Sequence, residues 1–541
     1  MPRPEMRAFL PRLPLLLLPL ALFLALFHPA TLDPSNAGWL IRGTDNGENA
    51  LGTHAWLHDP APGLLRTHLL NAPEGVPLLF TDSNPLVGAV LKPFAPLLPE
   101  NAQVVGPWIL LCFFLQVFFA WKLLEPFAPN RLALWTGVFL LAALPTLANR
   151  YIHANLMAHW LILWALRRFL DPRRAGDNRG WAVLIAITAT VHSYLLVMVG
   201  AIWASAMLER FHAGDRRERT RLAIGSAAIL AMVVALAWLL GAIGEFDPAG
   251  NYGAFAMPID ALWNPANPGW SRFLPAIEQR PGRGFEGFQY LGFGLLLLMP
   301  VALYARRSRP APEPQRKVFQ RLRWLVPALA VLTLLAISNF PDFAGHALPR
   351  LPLPQSVLNA LDAVRASGRL FWPVAYVLVF AALLAAYRLP RAPLILAALA
   401  AVQIVDLSGM TAAVRAASAE AGRHRLYVRT LDPRWDAVIA SARDITLVPP
   451  DPIPDLALFQ EVAWRAANHG RPVRLVYAAR DSRATKARLA AEQFEFVVDN
   501  LAPGRLYIVA PGYRILGKTQ QRVVLLDGVK LILPEDSRRT P

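Results

Sequence analysis

The sequence predicts a mainly α-helical, polytopic membrane protein that ends in a small α/β domain. Three observations carry this. Of 541 residues, 55% are hydrophobic and only 17% are charged, a balance too apolar for one soluble core. Apolar runs of about 20 residues, the length that crosses a hydrocarbon core of about 30 Å, alternate with short Arg-rich connectors. From about residue 411 the long apolar runs stop, and short β-branched and aromatic alternations take over.

The formal charge of +17 does not point to nucleic acid. Much of the surplus Arg sits between apolar runs, which is the positive-inside pattern. The single cysteine, Cys112, cannot close an intramolecular disulfide and lies in an apolar run, where it reads as a buried thiol.

The first run, residues 9–27, follows Arg3, Arg7 and Arg12 and lacks a small-residue cleavage site, because His28 and Pro29 interrupt it. It is expected to be an uncleaved first helix with a cytoplasmic N-terminus. Residues 28–103 then form a large outer loop. Spans are expected near 104–124, 132–148 and 156–170. The stretch 181–208 has basic flanks on both sides, which implies a hairpin with its tip at His192, Ser193 and Tyr194. Further spans fall near 222–243, 290–304, 324–337, 370–387 and 392–407, about eleven in all, which leaves the C-terminus outside. Residues 1–410 form the membrane domain and 411–541 the extracytoplasmic domain. In the latter RHRLYVRT, ARDITLVPP, RPVRLVYAA, GRLYIVA and QRVVLLDG read as strands, with helices at 456–468 and 484–493. No phosphate-loop or dinucleotide fingerprint occurs there.

The loop from Arg42 to Asp82 holds the densest polar chemistry: Asp45, Glu48, His54, His58, Asp59 and Asp82. Asp45 and Glu48 are three apart, which puts both carboxylates on one face of a helix. Such a pair takes a proton from a hydroxyl or holds a divalent cation such as Mg or Mn. Its plainer role is to solvate and cap a loop. Asp82, in TDSNPL, is a second acid or the start of a turn. Arg150, with His153, Asn155 and His159, forms a polar group in apolar sequence and suits a lipid phosphate or an interfacial anchor. His153 and His159 are six apart and do not share a helical face, which argues against a two-His metal site. Arg365 and Arg369 are four apart and can clamp a phosphate by forked hydrogen bonds. His54, His192, Tyr194 and Glu286 are candidate cavity or acceptor contacts, with Arg283 as the plain partner for Glu286.

The stretches GTDNGENALGTHAW, LLFTDSNPL, LPENAQVVGPWILLCFFLQ, RGFEGFQYLGFG and RASGRLFWPVAY resemble a bacterial branch grouped with the GT-C superfamily of lipid-dependent membrane glycosyltransferases. The resemblance implies an inner-membrane enzyme that moves a sugar from a polyprenyl-phosphate donor to a glycan, lipid or protein acceptor at the outer face. It implies Asp45 as catalytic base; in that reading Glu48 or Asp82 orients it or binds a metal, and Arg150, His153, Arg365 and Arg369, read above as phosphate partners, hold the donor phosphate. Asn46 and Gly47 separate Asp45 from Glu48, a departure from the paired-acid signatures that leaves the metal undetermined. Two other readings remain: a non-catalytic transporter or assembly factor for lipid-linked glycans, and a carbohydrate- or protein-binding C-terminal module whose Tyr427, Trp435, Trp464 and Tyr477 would stack on sugars.

Overall fold

The computed structural model describes residues 13–244, 252–478, 480–515 and 517–534. Arg3, Arg7 and Arg12, the expected basic flank, lie outside the described residues.

The apolar runs become helices. In chain order they are α1 (Pro14–Leu26), α2 (Asp45–His58), α3 (Val105–Leu124), α4 (Arg131–Ala142), α5 (Trp160–Leu170), α6 (Asn178–Val191), α7 (Ser193–Ala213), α8 (Arg216–Leu239), α9 (Phe293–Ser308), α10 (Glu313–Leu322), α11 (Val326–Ile337), α12 (Trp372–Ala386), α13 (Ala392–Asp406) and α14 (Ser408–Ala417). Among the described residues, five helical stretches are long and apolar enough to cross a membrane: Val105–Leu124, Ser193–Ala213, Arg216–Leu239, Glu313–Ile337 and Ser367–Ala386. A sixth arises if α13 and α14, bent by 51°, are taken as one span. That is fewer than the eleven expected, because several of the apolar runs, among them Pro14–Leu26 and Arg131–Ala142, form helices of 10–17 residues. The chain therefore has the apolar helices of a membrane-associated protein. On α8 the apolar face is bare, with Ile224 66%, Val234 60% and Trp238 72% exposed. Such a face fits a lipid solvent better than water.

The core centres on α3, which packs against α1, α4 and α5, while α9 packs on α12 and α13. Cys112 is buried in it. The expected break at 192 is present. His192 is extended (φ −165°), and its Nδ1 accepts the Tyr194 backbone N–H at 3.1 Å, which starts α7.

After α14 come α15 (Arg434–Ser441), α16 (Leu456–Asn468) and α17 (Arg483–Val497). They accompany a four-stranded sheet of β1 (Asp444–Val448), β2 (Arg505–Val509), β3 (Val523–Leu526) and β4 (Val529–Ile532), in the order β1-β2-β4-β3. β1 and β2 are parallel and the other pairs antiparallel. Two expected strands are not strands. In RHRLYVRT, the N–H groups of Val428, Arg429 and Thr430 go to the buried Glu461 carboxylate at 2.8–2.9 Å, so the backbone is satisfied without a sheet. In RPVRLVYAA, Val473 forms only a single parallel bridge with Ile445 of β1, while its own N–H donates to Leu69 O at 2.8 Å and its carbonyl accepts from Ala72 at 3.0 Å, so this segment lies between β1 and the 28–103 loop. Two of the four aromatics proposed as a sugar platform are spent inside, and Tyr427 and Tyr477 are half-buried. Trp435 and Trp464 are fully buried, and Arg465 stacks on Tyr427 at 3.6 Å.

Candidate functional site

The site is built from the first turn of α2. Thr44, the residue before the helix, makes no side-chain cap. Instead Gln460 of α16 grips this end: its Oε1 accepts the Gly43 N–H at 2.8 Å and its Nε2 donates to Thr44 O at 2.9 Å. Acidic residues favour this end of a helix, and Asp45 and Glu48 both stand in the first turn.

Asparagines then tie three distant segments together. Asn46 donates to Tyr151 O at 2.8 Å and accepts from Ala154 N at 2.9 Å, fixing the turn that carries His153. Asn49 and Asn155 both donate to the carbonyl of Asp82, the latter at 2.7 Å. That grip holds Asp82 in a left-handed conformation (φ +52°), which few non-glycine residues adopt. The sequence reading missed Asn46 and Asn49 as site builders. Their i, i+3 spacing beside Asp45 was the available signal.

The result is a pocket lined by Asp45, Asn49, Asp82, His153, Asn155 and His192. Its free volume is about 10 Å³, room for one water-sized occupant. His153 Nε2 lies 3.2 Å from Asp45 Oδ2. One ligand atom each from Asp45, Asp82 and His153 lies within 4.8 Å of the others. Burial, reinforced by the charges of Asp82 and Glu286, pushes the Asp45 carboxyl up to about 7. Burial also raises Asp82, with Arg369 pulling against it. Burial and the Arg369 charge hold His153 well below the ordinary imidazole range, hence neutral.

Beside the pocket, Glu286 gathers two arginines. Arg150 Nη1 donates to Glu286 Oε2 at 2.7 Å, and Arg369 Nε donates to the same oxygen at 2.6 Å while its Nη2 binds Oε1. His153 Nε2 is 3.8 Å from Glu286 Oε1. Burial would raise Glu286, but Arg369 and Arg150 outweigh it and hold the carboxyl well below the usual range. The segments meet closely: a methyl on Gly368 would come within 2.7 Å of Gly287 Cα.

The other expectations sort as follows. Glu286 pairs with Arg150 and Arg369, not with Arg283, which binds Asp342. Arg150 and Arg369 are consequently engaged by a carboxylate. Arg365 and Arg369 do not form one clamp, because no continuous helix joins them: Arg365 sits in the bend between two 3₁₀ turns and Arg369 in the second turn. Arg369 points inward to Glu286, whereas Arg365 is exposed near Phe255. Tyr194 is a positioning group, accepting the Ala366 N–H at 2.8 Å beneath the Arg369 guanidinium. His54 lies away from the pocket, stacked on Trp464 at 3.7 Å and hydrogen-bonded to Asn468 at 2.6 Å. Glu48 shares the first turn with Asp45 but is 2% exposed and is not in the pocket lining. His159 is a core residue beside Tyr376, well separated in role from His153.

Two carboxylates and a neutral imidazole around a water-sized space could hold a divalent cation. The mixed oxygen and nitrogen donors fit Mn or Zn better than Mg, which prefers oxygen alone.

The family described as "Domain of unknown function (DUF6311)" matches residues 16–408. The chain belongs to the DUF6311 family. The DUF6311 C-terminal domain matches residues 434–534. No curated protein matches the chain. The pocket acids, Glu286 and both of its arginines fall within the first DUF6311 match, and Gln460, which holds their helix, falls within the second.

Proposed function

We propose that this DUF6311 chain is a GT-C-type glycosyltransferase of the bacterial inner membrane, moving a sugar from a polyprenyl-phosphate donor to a glycan, lipid or protein acceptor at the extracytoplasmic face. The observation that carries the reading is the convergence of Asp45, Asp82 and His153 on one small pocket beside the Glu286 cluster. In this reading the shorter apolar helices complete about eleven membrane segments. The N-terminus is cytoplasmic, and the C-terminal α/β domain stands outside, above the pocket.

Asp45 is the base. A carboxyl near neutrality takes a proton efficiently at working pH. The acceptor oxygen forms a bond to the anomeric carbon as the carbon–oxygen bond to the phosphate breaks. The phosphate leaves with that electron pair, and the acceptor proton ends on Asp45, with inversion at the sugar. Asp82 and His153 orient Asp45, and the exposed Arg365 meets the departing phosphate. A divalent cation bound by Asp45, Asp82 and His153 would supply neutralising charge between the carboxylates.

Membranes carrying the chain and a labelled lipid-linked sugar test this. A new glycosidic bond supports the transferase, while movement of the lipid-linked sugar across the bilayer without one supports a transporter.

A further inference from the structure

A second cavity, of about 550 Å³, opens between residues 252–283 and 340–362. That volume suits an organic ligand. Three arginines line it: Arg280, Arg283 and Arg350. Arg283 is spent structurally, paired with the buried Asp342 and donating to Gly253 O and Phe340 O at 2.7 Å. The other two have no such use. Arg280 sits over the Phe340 ring at 4.2 Å with its Nη1 buried and lacking a hydrogen-bond partner, and Arg350 reaches the same ring at 5.9 Å. Neither makes an ion pair among the described residues. One carboxylate shares the lining, Asp362, which accepts the Tyr252 N–H at 3.2 Å. The balance therefore favours an anion. A buried, unpaired guanidinium donor is costly and gains most from a charged acceptor.

The same wall is amphipathic. The connector 338–366 joins two stretches of span length, Glu313–Ile337 and Ser367–Ala386, which sets it at one end of them. Leu358 lines the cavity. Nearby, Leu351 is 59% and Val357 40% exposed. Apolar side chains this bare, at the end of apolar helices and beside unpaired arginines, match an amphiphile whose charged head meets the protein at headgroup depth.

We propose that this groove binds the phosphate head of a membrane amphiphile, with Arg280 and Arg350 on the phosphate and the hydrocarbon against Leu358 and the exposed connector. The site is distinct from the Asp45 pocket and does not rest on the transferase reading. The two adjoin through one helical turn, whose Arg283 faces the groove and whose Glu286 faces the pocket cluster.

The test uses the full chain in nanodiscs of zwitterionic lipid, titrated with geranylgeranyl phosphate, geranylgeraniol or inorganic pyrophosphate. Binding is read as the rise in unfolding midpoint. The phosphate amphiphile should act at concentrations at least about tenfold below either partial ligand. Arg280→Gln with Arg350→Gln should remove that advantage, and Asp45→Asn should leave it intact. Should the double variant fold poorly, Arg350→Gln alone, at an exposed position, should still weaken binding several-fold. Equal binding of the alcohol, equal binding of pyrophosphate, or unchanged binding by well-folded variants would each overturn the proposal. Groove binding without sugar transfer would sink only the transferase reading, and transfer without groove binding would sink only the groove.

Discussion

Glu48 lies one turn beyond Asp45, yet both of its carboxylate oxygens are buried without a hydrogen-bond partner among the described residues. Burial, with the charges of Asp82 and Asp45 adding to it, raises its carboxyl well above the ordinary range. The fold therefore favours the protonated form of Glu48. Because the folded value lies above the unfolded one, the stability this neutral form lends is complete below about pH 4.3 and is lost as pH rises. Glu48→Gln, already neutral, should unfold at a higher temperature than wild type at pH 8, with the gap closing near pH 4. An equal gap at both pH values would show that folding leaves the Glu48 carboxyl unshifted. Glu286 behaves oppositely. Its removal leaves Arg150, 1% exposed, as an unpaired buried charge. Glu286→Gln should cost about 3–5 kcal/mol and sharply reduce the yield of folded protein after detergent extraction. The spacing of Asp45 and Glu48 was legible as one helical turn. Their divergent fates were not, because burial on one side of α2 depends on α16, more than 400 residues away in the chain.

At the scale of elements, α2 is placed by its neighbours more than by its own cap. Gly47 shows how tightly: a methyl there would meet Leu40 O at 2.6 Å and collide with the Gln460 side chain. Gly47→Ala should shift the first turn of α2, lowering stability by about 1–3 kcal/mol and moving Asp45 off His153. Unfolding midpoints, together with transfer rates, check this. A fully active, equally stable Gly47→Ala protein would show that the grip of Gln460 does not set the site. Segment boundaries were readable where a local signal exists, as at His192 and at α16, whose apolar periodicity coincides with 456–468. The hairpin joining β3 to β4 had such a signal in Asp527-Gly528, both at positive φ, the pairing that two-residue hairpins favour. The strand-like RHRLYVRT and RPVRLVYAA misled because alternation reports a half-buried extended segment, not its partner. Glu461 takes one, and the 28–103 loop shares the other with a single bridge to β1.

For the whole molecule, the apolar runs foretold where helices lie because lipid-facing and buried helices both demand them. They did not foretell helix length, which packing and Pro or Gly breaks decide. Nor did they foretell the site, which joins α2, the Asp82 turn, the His153 turn and the Glu286 turn through asparagine side chains and one shared carboxylate. The C-terminal region is part of that assembly. Ending the chain at residue 433 strips α16 from α2 and exposes the His54 face. The truncated protein should still partition into membranes but lose sugar transfer; full transfer by it would remove the C-terminal region from the mechanism. The most direct test of the central claim is sugar transfer by Asp45→Asn in membranes, normalised to the amount of folded protein. The account predicts a fall of at least about a hundredfold with unchanged membrane insertion, and transfer at the wild-type rate would contradict it.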